Sequence, residues 1–487
     1  ACDKYSNVHE DYYKENYYNF NIYTEYTHQF NQKHYLHVMG GFQAENLKQT
    51  QFGLQRDGIM FPNKPQVDLT NGLDYDGNPI TPSVNGSRND WATAGFFGRI
   101  NYSYDGKYLL EANLRADGTS RFRKGNQWKT FPSFSLGWNV AREHFFEPLN
   151  NIVNILKFRA SYGLLGNQNT TNWYQTYQTM SVGSSNGAWL MNGNKPNTAS
   201  APGLVSASLT WETIESYNLG LDWGVFNNRL TGSFDWYIRD TKNMVGNAPE
   251  LPALLGTGVP ITNNTDLRTS GWELSIGWND RLNNGFTYGA KFNVSDARTK
   301  ITRYPNNPTK AVSTYIEGRY TNEIWGYTTV GLAKTDEEMQ AHLATMPNGG
   351  QSALGSDWKA GDIMYADING DGKISGGSGT LNDTGDWTVI GNTTPRYLFG
   401  LDLNASWKGF DLRMFFQGVM KRDFWQGSTY LFGASNSGMW HATGIESVSD
   451  YFRNDDTWSV QEGYQSPNLN SYLPRPLYSN KNLQTQT

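Results

Sequence analysis

The sequence predicts an all-β fold, an antiparallel transmembrane β-barrel with long extracellular loops, and three observations carry that reading. Apolar and polar residues alternate with period two over long stretches, and these stretches come in pairs joined by turns of two or three residues. Short connections alternate with much longer ones, the pattern of a barrel with tight turns at one rim and loops at the other. In 487 residues there are 51 Gly, 17 Trp, 29 Tyr and 24 Phe but only 17% charged residues. That balance favours β-structure with many turns over helical bundles or disorder.

Taken in order, the first alternating pair runs through residues 19–45. In "GRINYSYDGKYLLEANLRADGTSRF", Ile100, Tyr102 and Tyr104 share one face. A turn falls at Asp105-Gly106, and Tyr108, Leu110, Ala112 and Leu114 continue that face. Glu111, Asn113, Arg115 and Asp117 point the other way, and the two-residue Asp-Gly connection reads as a hairpin. Another pair runs through 131–164. The next has Tyr217, Leu219, Leu221 and Trp223, a turn at Asn227-Asn228, then Leu230, Phe234, Trp236 and Ile238. Trp272, Leu274, Ile276 and Trp278 pair across Asn283-Asn284-Gly285 with Phe286, Tyr288, Ala290, Phe292 and Val294. Phe399, Leu401, Leu403, Ala405 and Trp407 pair across Lys408-Gly409 with Phe410, Leu412, Met414 and Phe416. This makes about twelve strands of about 9–13 residues each, longer than the usual soluble strand of about 5–6.

Long connections are expected over roughly 46–93, 165–211, 242–269, 298–394 and from 423 onward, with a shorter one near 119–130. A soluble propeller or sandwich would also alternate, burying its apolar face. Trp223, Trp236, Trp278 and Trp407 near the ends of the apolar stripes favour the membrane, where interfacial belts hold such rings. The mean hydropathy of −0.63 is compatible with this, because a barrel presents only alternate residues to lipid. No run of 18 apolar residues exists, so no membrane-spanning helix is expected.

The 298–394 connection carries structure of its own. Thr335 stands three residues before Glu338, a capping box, and Met339, Leu343 and Met346 follow on one helical face until Pro347 and Gly349-Gly350 end the helix. Further on, "DINGDGKIS" opens like a calcium loop, with oxygen-bearing side chains at Asp367, Asn369 and Asp371, Gly372 at its sixth position and Ser375 at its ninth. Its twelfth position is Ser378 rather than Glu. Asp367, Asn369, Asp371, the Lys373 carbonyl and Ser375 are therefore expected to hold a structural calcium ion, with Asp386 or Asp383 replacing the missing ligand. The competing reading is an Asx/Gly turn without metal.

Other classes of function find little support. The net charge of −5 gives no footprint for nucleic acid. One cysteine, Cys2, excludes an intrachain disulfide framework. The seven histidines show no metal spacing, and no glycine-rich phosphate loop lies between a strand and a helix. Glu111, Arg115, Asp117, Asp235, Arg239 and Glu273 read as a hydrated polar lumen. A glycosidase carboxylate pair among them is conceivable, but the alternation of a barrel already accounts for them, and no enzyme is expected.

Several strings together resemble one family. "RADGTSRF", "FPSFSLGWNVARE", "LKFRASYGLLGNQ" and "GDIMYADINGDGKIS…GDWTVIGNTTPRYLFGLDL" are similar, in this order, to SusC/RagA-type TonB-dependent outer-membrane transporters of Bacteroidetes. The resemblance implies that residues 1–487 are part of a single 22-stranded barrel domain of the plugged type. It also implies a SusD-like surface lipoprotein as a lid on the loops, energy from TonB, residence in outer-membrane lipid, and import of an oligomeric nutrient, an oligosaccharide or a peptide. No plug, TonB-contacting segment, signal peptide or aromatic-ended last strand is recognised, so an incomplete stretch of such a transporter is expected, with TonB engaged through the unseen amino-terminal region. Loop tryptophans Trp173, Trp189, Trp325, Trp425 and Trp440 are the candidate substrate contacts. Packing within the loops would explain each of them almost as well.

Overall fold

The computed structural model describes residues 6–424, apart from 169–171, 181, 184–189, 194–195, 200–201, 253, 255 and 357. The strands begin with β1 (Asn7–Phe30), β2 (His34–Asp57), β3 (Ser83–Tyr104), β4 (Tyr108–Thr119), β5 (Trp128–Asn139) and β6 (Val153–Asn167). A small pair follows, β7 (Val182–Gly183) and β8 (Thr198–Ala199). Then come β9 (Glu212–Val225), β10 (Leu230–Asn247), β11 (Ile261–Arg281) and β12 (Thr287–Arg303). After β12 the chain makes β13 (Glu323–Tyr327), β14 (Thr329–Leu332), helix α1 (Asp336–Ala344), β15 (Ile363–Tyr365) and β16 (Trp387–Asn392). It returns to the wall as β17 (Arg396–Trp407) and β18 (Phe410–Lys421). Twelve of these strands hydrogen-bond in the order β1-β2-β3-β4-β5-β6-β9-β10-β11-β12-β17-β18, each beside its predecessor along the chain apart from the inserted small strands.

The expected hairpins appear in the expected register. Tyr102 opposes Leu110 and Ile100 opposes Ala112. Ile276 opposes Phe292, and Leu401 opposes Phe416. Directly opposed residues share a face, so each apolar stripe is continuous across its turn. The tight turns take left-handed backbone at Asp105-Gly106, at Asn227-Asn228 and at Lys408-Gly409, where short polar residues and glycine suit hairpin connections. The apolar face is not buried: Leu114 is 54% exposed and Leu219 56%.

The strands run longer than their apolar stripes. β2 continues to Asp57 and β3 starts at Ser83, so the connection expected over 46–93 shrinks to 58–82. Pairing such as Asn46 with Ala92 and Gln51 with Ser87 extends the ladder through polar sequence. Backbone hydrogen bonds need no apolar side chains, so hydropathy marks the membrane-level part of a strand and not its end.

By compactness the chain divides into two units. The first comprises Ala1–Trp138, Ser161–Glu215 and Lys242–Asn264. Its core at the long-loop end joins Phe122, Phe131, Leu209 and Trp211, with Leu164, Val245 and Ile261 packed against it. Trp211 meets Phe122 and Phe131 edge-on at 5.9 and 5.4 Å and donates its indole N–H to the Gln127 carbonyl at 2.9 Å. The second unit comprises Asn139–Ala160, Ser216–Thr241 and Thr265–Thr487. Its expected loop helix forms as α1: the Thr335 hydroxyl accepts the Glu338 amide at 3.2 Å, while Glu338 accepts the Lys334 amide at 2.7 Å. Met339 is fully buried beside Ala333 and Met364. Met346 packs with Ile363, Tyr365 and Ile374, so the loop carries its own small core.

The polar face of this second unit is organised by ion pairs. Arg159 of β6 grips Asp222 of β9 and Asp235 of β10, each through two hydrogen bonds of 2.9–3.0 Å. The sequence pointed to Asp235 as a lumen residue. Arg159 is the partner that periodicity could not supply, because the pairing crosses three strands. In the first unit Arg115 reaches its own strand neighbour Asp117 at 2.9 and 3.1 Å.

Candidate functional site

The aromatic cleft of the first unit is built where β3 outruns β4. Pairing between those strands ends at Thr93 and Thr119, leaving the edge of β3 free above that point. Ser120 takes the last rungs: its amide donates to the Ala92 carbonyl and its hydroxyl accepts the Ala92 amide, both at 2.9 Å. The loop after β6 then docks on the free edge. The Tyr174 hydroxyl accepts the Asp90 amide at 2.8 Å and donates to the Asp90 carboxylate at 3.1 Å.

Two arginines from the "RADGTSRF" string and its next residue hold this loop. Arg121 is buried, with its guanidinium 5.2 Å from the ring of Trp91 and 5.9 Å from that of Trp173. Cation–π contacts strengthen when desolvated, and the same burial lowers the pKa of Arg121 below the ordinary arginine value. Arg123 donates from Nε and Nη2 to the Thr176 carbonyl and lies 5.8 Å from the Tyr177 ring. The result is a cleft of about 400 Å³ lined by Asn46, Asp90, Trp91, Ala92, Ser120, Trp173, Tyr174 and Tyr177. It combines flat apolar rings with an amide, a carboxylate and hydroxyls, the mixture that orients a small polar ligand.

Of the five candidate tryptophans, Trp173 therefore sits in a formed cleft. Trp325 lies in the second unit on β13 opposite Val389, with the Arg319 guanidinium 5.1 Å from its ring. Trp189, Trp425 and Trp440 lie outside the described residues. Trp91, Tyr174, Tyr177 and the two arginines escaped sequence reasoning. Trp91 falls in the stretch expected as a connection, and its role appears only once β3 is seen to start at Ser83 and to outrun β4.

The loop at Asp367 is tightly self-bonded. Asp367 accepts the amides of Gly370 and Gly372 at 2.7 and 2.8 Å, and both glycines have left-handed backbone. Asn369 accepts the Asp371 amide at 3.0 Å, and Asp371 accepts the Lys373 amide at 3.1 Å. The fully buried Asp386 does return to this loop, accepting amides of Ile368 at 2.7 Å and of Ser375 at 2.8 Å. Asp383 instead accepts the Ser378 amide, and that bond holds its pKa below the ordinary value of 3.8. Among the described residues no three His, Cys, Asp or Glu side chains gather around one point. The donors available to a cation are thus the spare lone pairs of Asp367 and Asp371, the Asn369 amide oxygen and the Lys373 carbonyl. These are hard oxygens of the kind calcium accepts.

The sequence matches the family described as TonB dependent receptor-like, beta-barrel, over residues 3–408. The chain belongs to this TonB-dependent receptor family. Among curated relatives, the TonB-dependent receptor P3 of Formosa agariphila is 30% identical over 399 residues, covering 79% of this chain and 37% of that protein. The TonB-dependent receptor SusC of Bacteroides thetaiotaomicron is 29% identical over 317 residues, covering 65% of this chain and 30% of SusC. Among solved structures, the RagAB peptide transporter aligns with a TM-score of 0.70 at 20% identity, over 96% of this chain and 46% of that one. This TonB-dependent receptor barrel is of SusC/RagA type and resides in the outer membrane, where its apolar face meets lipid. It spans less than half the length of the relatives it matches. The soluble all-β alternative falls with the family match.

Proposed function

We propose that this chain is barrel wall and loops of a TonB-dependent importer that carries an oligosaccharide across the outer membrane under a SusD-like lipoprotein lid. Transport is the proposed activity, and catalysis has no part in it. The observation that carries the choice of ligand is the cleft at Trp91, Trp173, Tyr174 and Tyr177. Indole and phenol rings can stack on the C–H faces of a pyranose while Asn46, Asp90 and Ser120 exchange hydrogen bonds with its hydroxyls. Its volume of about 400 Å³ suits one or two sugar units. Import of a peptide by the same architecture is the second reading, favoured by the likeness in fold to the RagAB peptide transporter.

Isothermal titration of the purified transporter with an oligosaccharide library and with mixed peptides separates the two. Trp173→Ala should weaken binding of the preferred oligosaccharide by about fivefold, the loss of roughly 1 kcal/mol of ring contact. Peptide binding that falls with Trp173→Ala, with no oligosaccharide bound at all, would replace the first reading by the second.

A structural calcium ion at the Asp367 loop is a separate proposal. Asp367, Asn369, Asp371 and the Lys373 carbonyl would hold it, and Asp386 would shape the loop around it through the amides of Ile368 and Ser375. When bound it would offset the entropy of ordering a long loop.

A further inference from the structure

Above the apolar band, the lipid face of β11 and β12 turns basic. The register of this pair runs unshifted from Leu267 opposite Ile301 to Arg281 opposite Thr287. On the face that carries Ile276, Phe292, Leu274 and Val294, the next rungs are therefore Trp272 with Asp296, Ser270 with Arg298, and Arg268 with Lys300. At about 3.3 Å rise per residue and 35–45° tilt, Arg298 and Lys300 stand roughly 25–30 Å above Tyr288 at the short-turn end. That is the far rim of a lipid-facing band about 25 Å tall, so these cations lie at headgroup level in the outer leaflet, directly beyond Trp272.

Arg268 and Lys300 are directly opposed like charges, an arrangement that destabilises a sheet unless something answers it. Arg268 is answered by Asp240 of β10 at 2.6 and 2.7 Å, and Asp296 is taken by Arg396, which donates to it from Nε and Nη2. Among the described residues, neither Lys300 nor Arg298 forms an ion pair, and both are exposed. Arg298 is nonetheless held in place. Its guanidinium stacks 3.7 Å from the centre of the Tyr320 ring, and Tyr320 bridges to Lys300 along the backbone. A stacked guanidinium keeps its N–H edge free for a planar, bidentate contact with a phosphate.

We propose that Arg298 and Lys300, with Arg268 beside them, bind the phosphate of a phosphorylated glycolipid headgroup in the outer leaflet. Two exposed cations that form no ion pair among the described residues, one of them fixed against a ring and with the nearby Asp296 already taken by Arg396, adjoin a surface that already contacts lipid. The charge and the depth both match such a headgroup, whose acyl chains would lie along Trp272 and Leu274. This site is separate from the oligosaccharide cleft and does not depend on it.

The test is native mass spectrometry of the complete transporter in detergent, titrated with bis-phosphorylated lipid A and with its dephosphorylated form. Near an anionic surface each basic residue contributes about fivefold in affinity. The double variant Arg298→Gln/Lys300→Gln should therefore retain the phosphorylated lipid roughly 25-fold less well and the dephosphorylated lipid unchanged. Lys300→Arg alone should keep the wild-type preference. Should the double variant fail to fold, salt titration of the unmodified protein gives the same reading, since only the phosphorylated lipid should be released. Equal retention by variant and wild type would overturn the proposal. So would salt-insensitive binding, or full displacement by millimolar inorganic phosphate, which would mark a free-phosphate site.

Discussion

Asp386 shows how a buried carboxylate finds partners that its local sequence does not display. The sequence offers it as a replacement calcium ligand returning across the 376–385 insert, and in the structure its carboxylate accepts amides of the Asp367 loop. What it meets there is backbone N–H, because a glycine-rich loop turned tightly on itself leaves amides pointing inward that a buried carboxylate can satisfy. The calcium proposal is argued at this scale. Asp367 and Asp371 keep spare lone pairs, while the twelfth-position glutamate is missing, so affinity should fall in the weak range of about 10⁻⁴–10⁻³ M. Hydrogen exchange of residues 367–375 should slow on adding millimolar calcium, and Asp371→Asn should abolish the effect. Exchange that is indifferent to calcium, with the same protection in a chelator, would leave the loop as a self-satisfied turn.

At the scale of elements, the hairpin of β3 and β4 gives the clearest comparison. Leu114 continues the stripe of Ile100, Tyr102 and Leu110 and is exposed on the lipid face. Its neighbour Asn113 points the other way, bonding Glu111 at 2.8 Å and Ser133 at 3.2 Å. Arginine at a lipid-facing site near the midplane costs about 2–4 kcal/mol, and far less where water is near. Leu114→Arg should therefore lower folding into bilayers by that amount, whereas Asn113→Arg should cost under about 1 kcal/mol by the same reasoning. Refolding titrations into lipid vesicles measure both, and equal costs would contradict the assignment of faces. The family strings also find their physical use at this scale. Phe122 ends "RADGTSRF", Phe131 opens "FPSFSLGW", and both pack on Trp211 in one buried core. Their similarity to relatives was legible, but their meeting was not, since residues 122, 131 and 211 share no local pattern.

For the whole molecule, the sheet order leaves β1 and β18 each with one strand neighbour among the described residues. An edge left open in hydrocarbon would leave amides and carbonyls unsatisfied at several kcal/mol each, which is why membrane sheets close into barrels. In the second unit the long connection 304–395 folds around its own core with α1. Such structured, aromatic loops suit a covering partner. Purification of the transporter in mild detergent should retain a SusD-like lipoprotein seated on these loops. A partner found at the short-turn end, with the loops wholly solvated, would argue against the lid.

The sequence by itself determined the apolar stripes of the wall strands, the hairpin pairing across their tight turns and the face each stripe takes, though not where the strands end. All of these follow from a period of two and from turn residues that tolerate left-handed backbone, which are local matters. It also located α1, through Thr335 and Glu338, and the bend at Asp367. Only the tertiary structure decided that Arg159 grips Asp222 and Asp235, that Trp91 and Trp173 share Arg121, and that Arg298 stacks on Tyr320 beside Lys300. Each of these depends on how far one strand outruns its neighbour or which loop returns to which edge. Contacts between residues tens of positions apart are set by register and strand length summed over the sheet, and no window along the chain contains that sum.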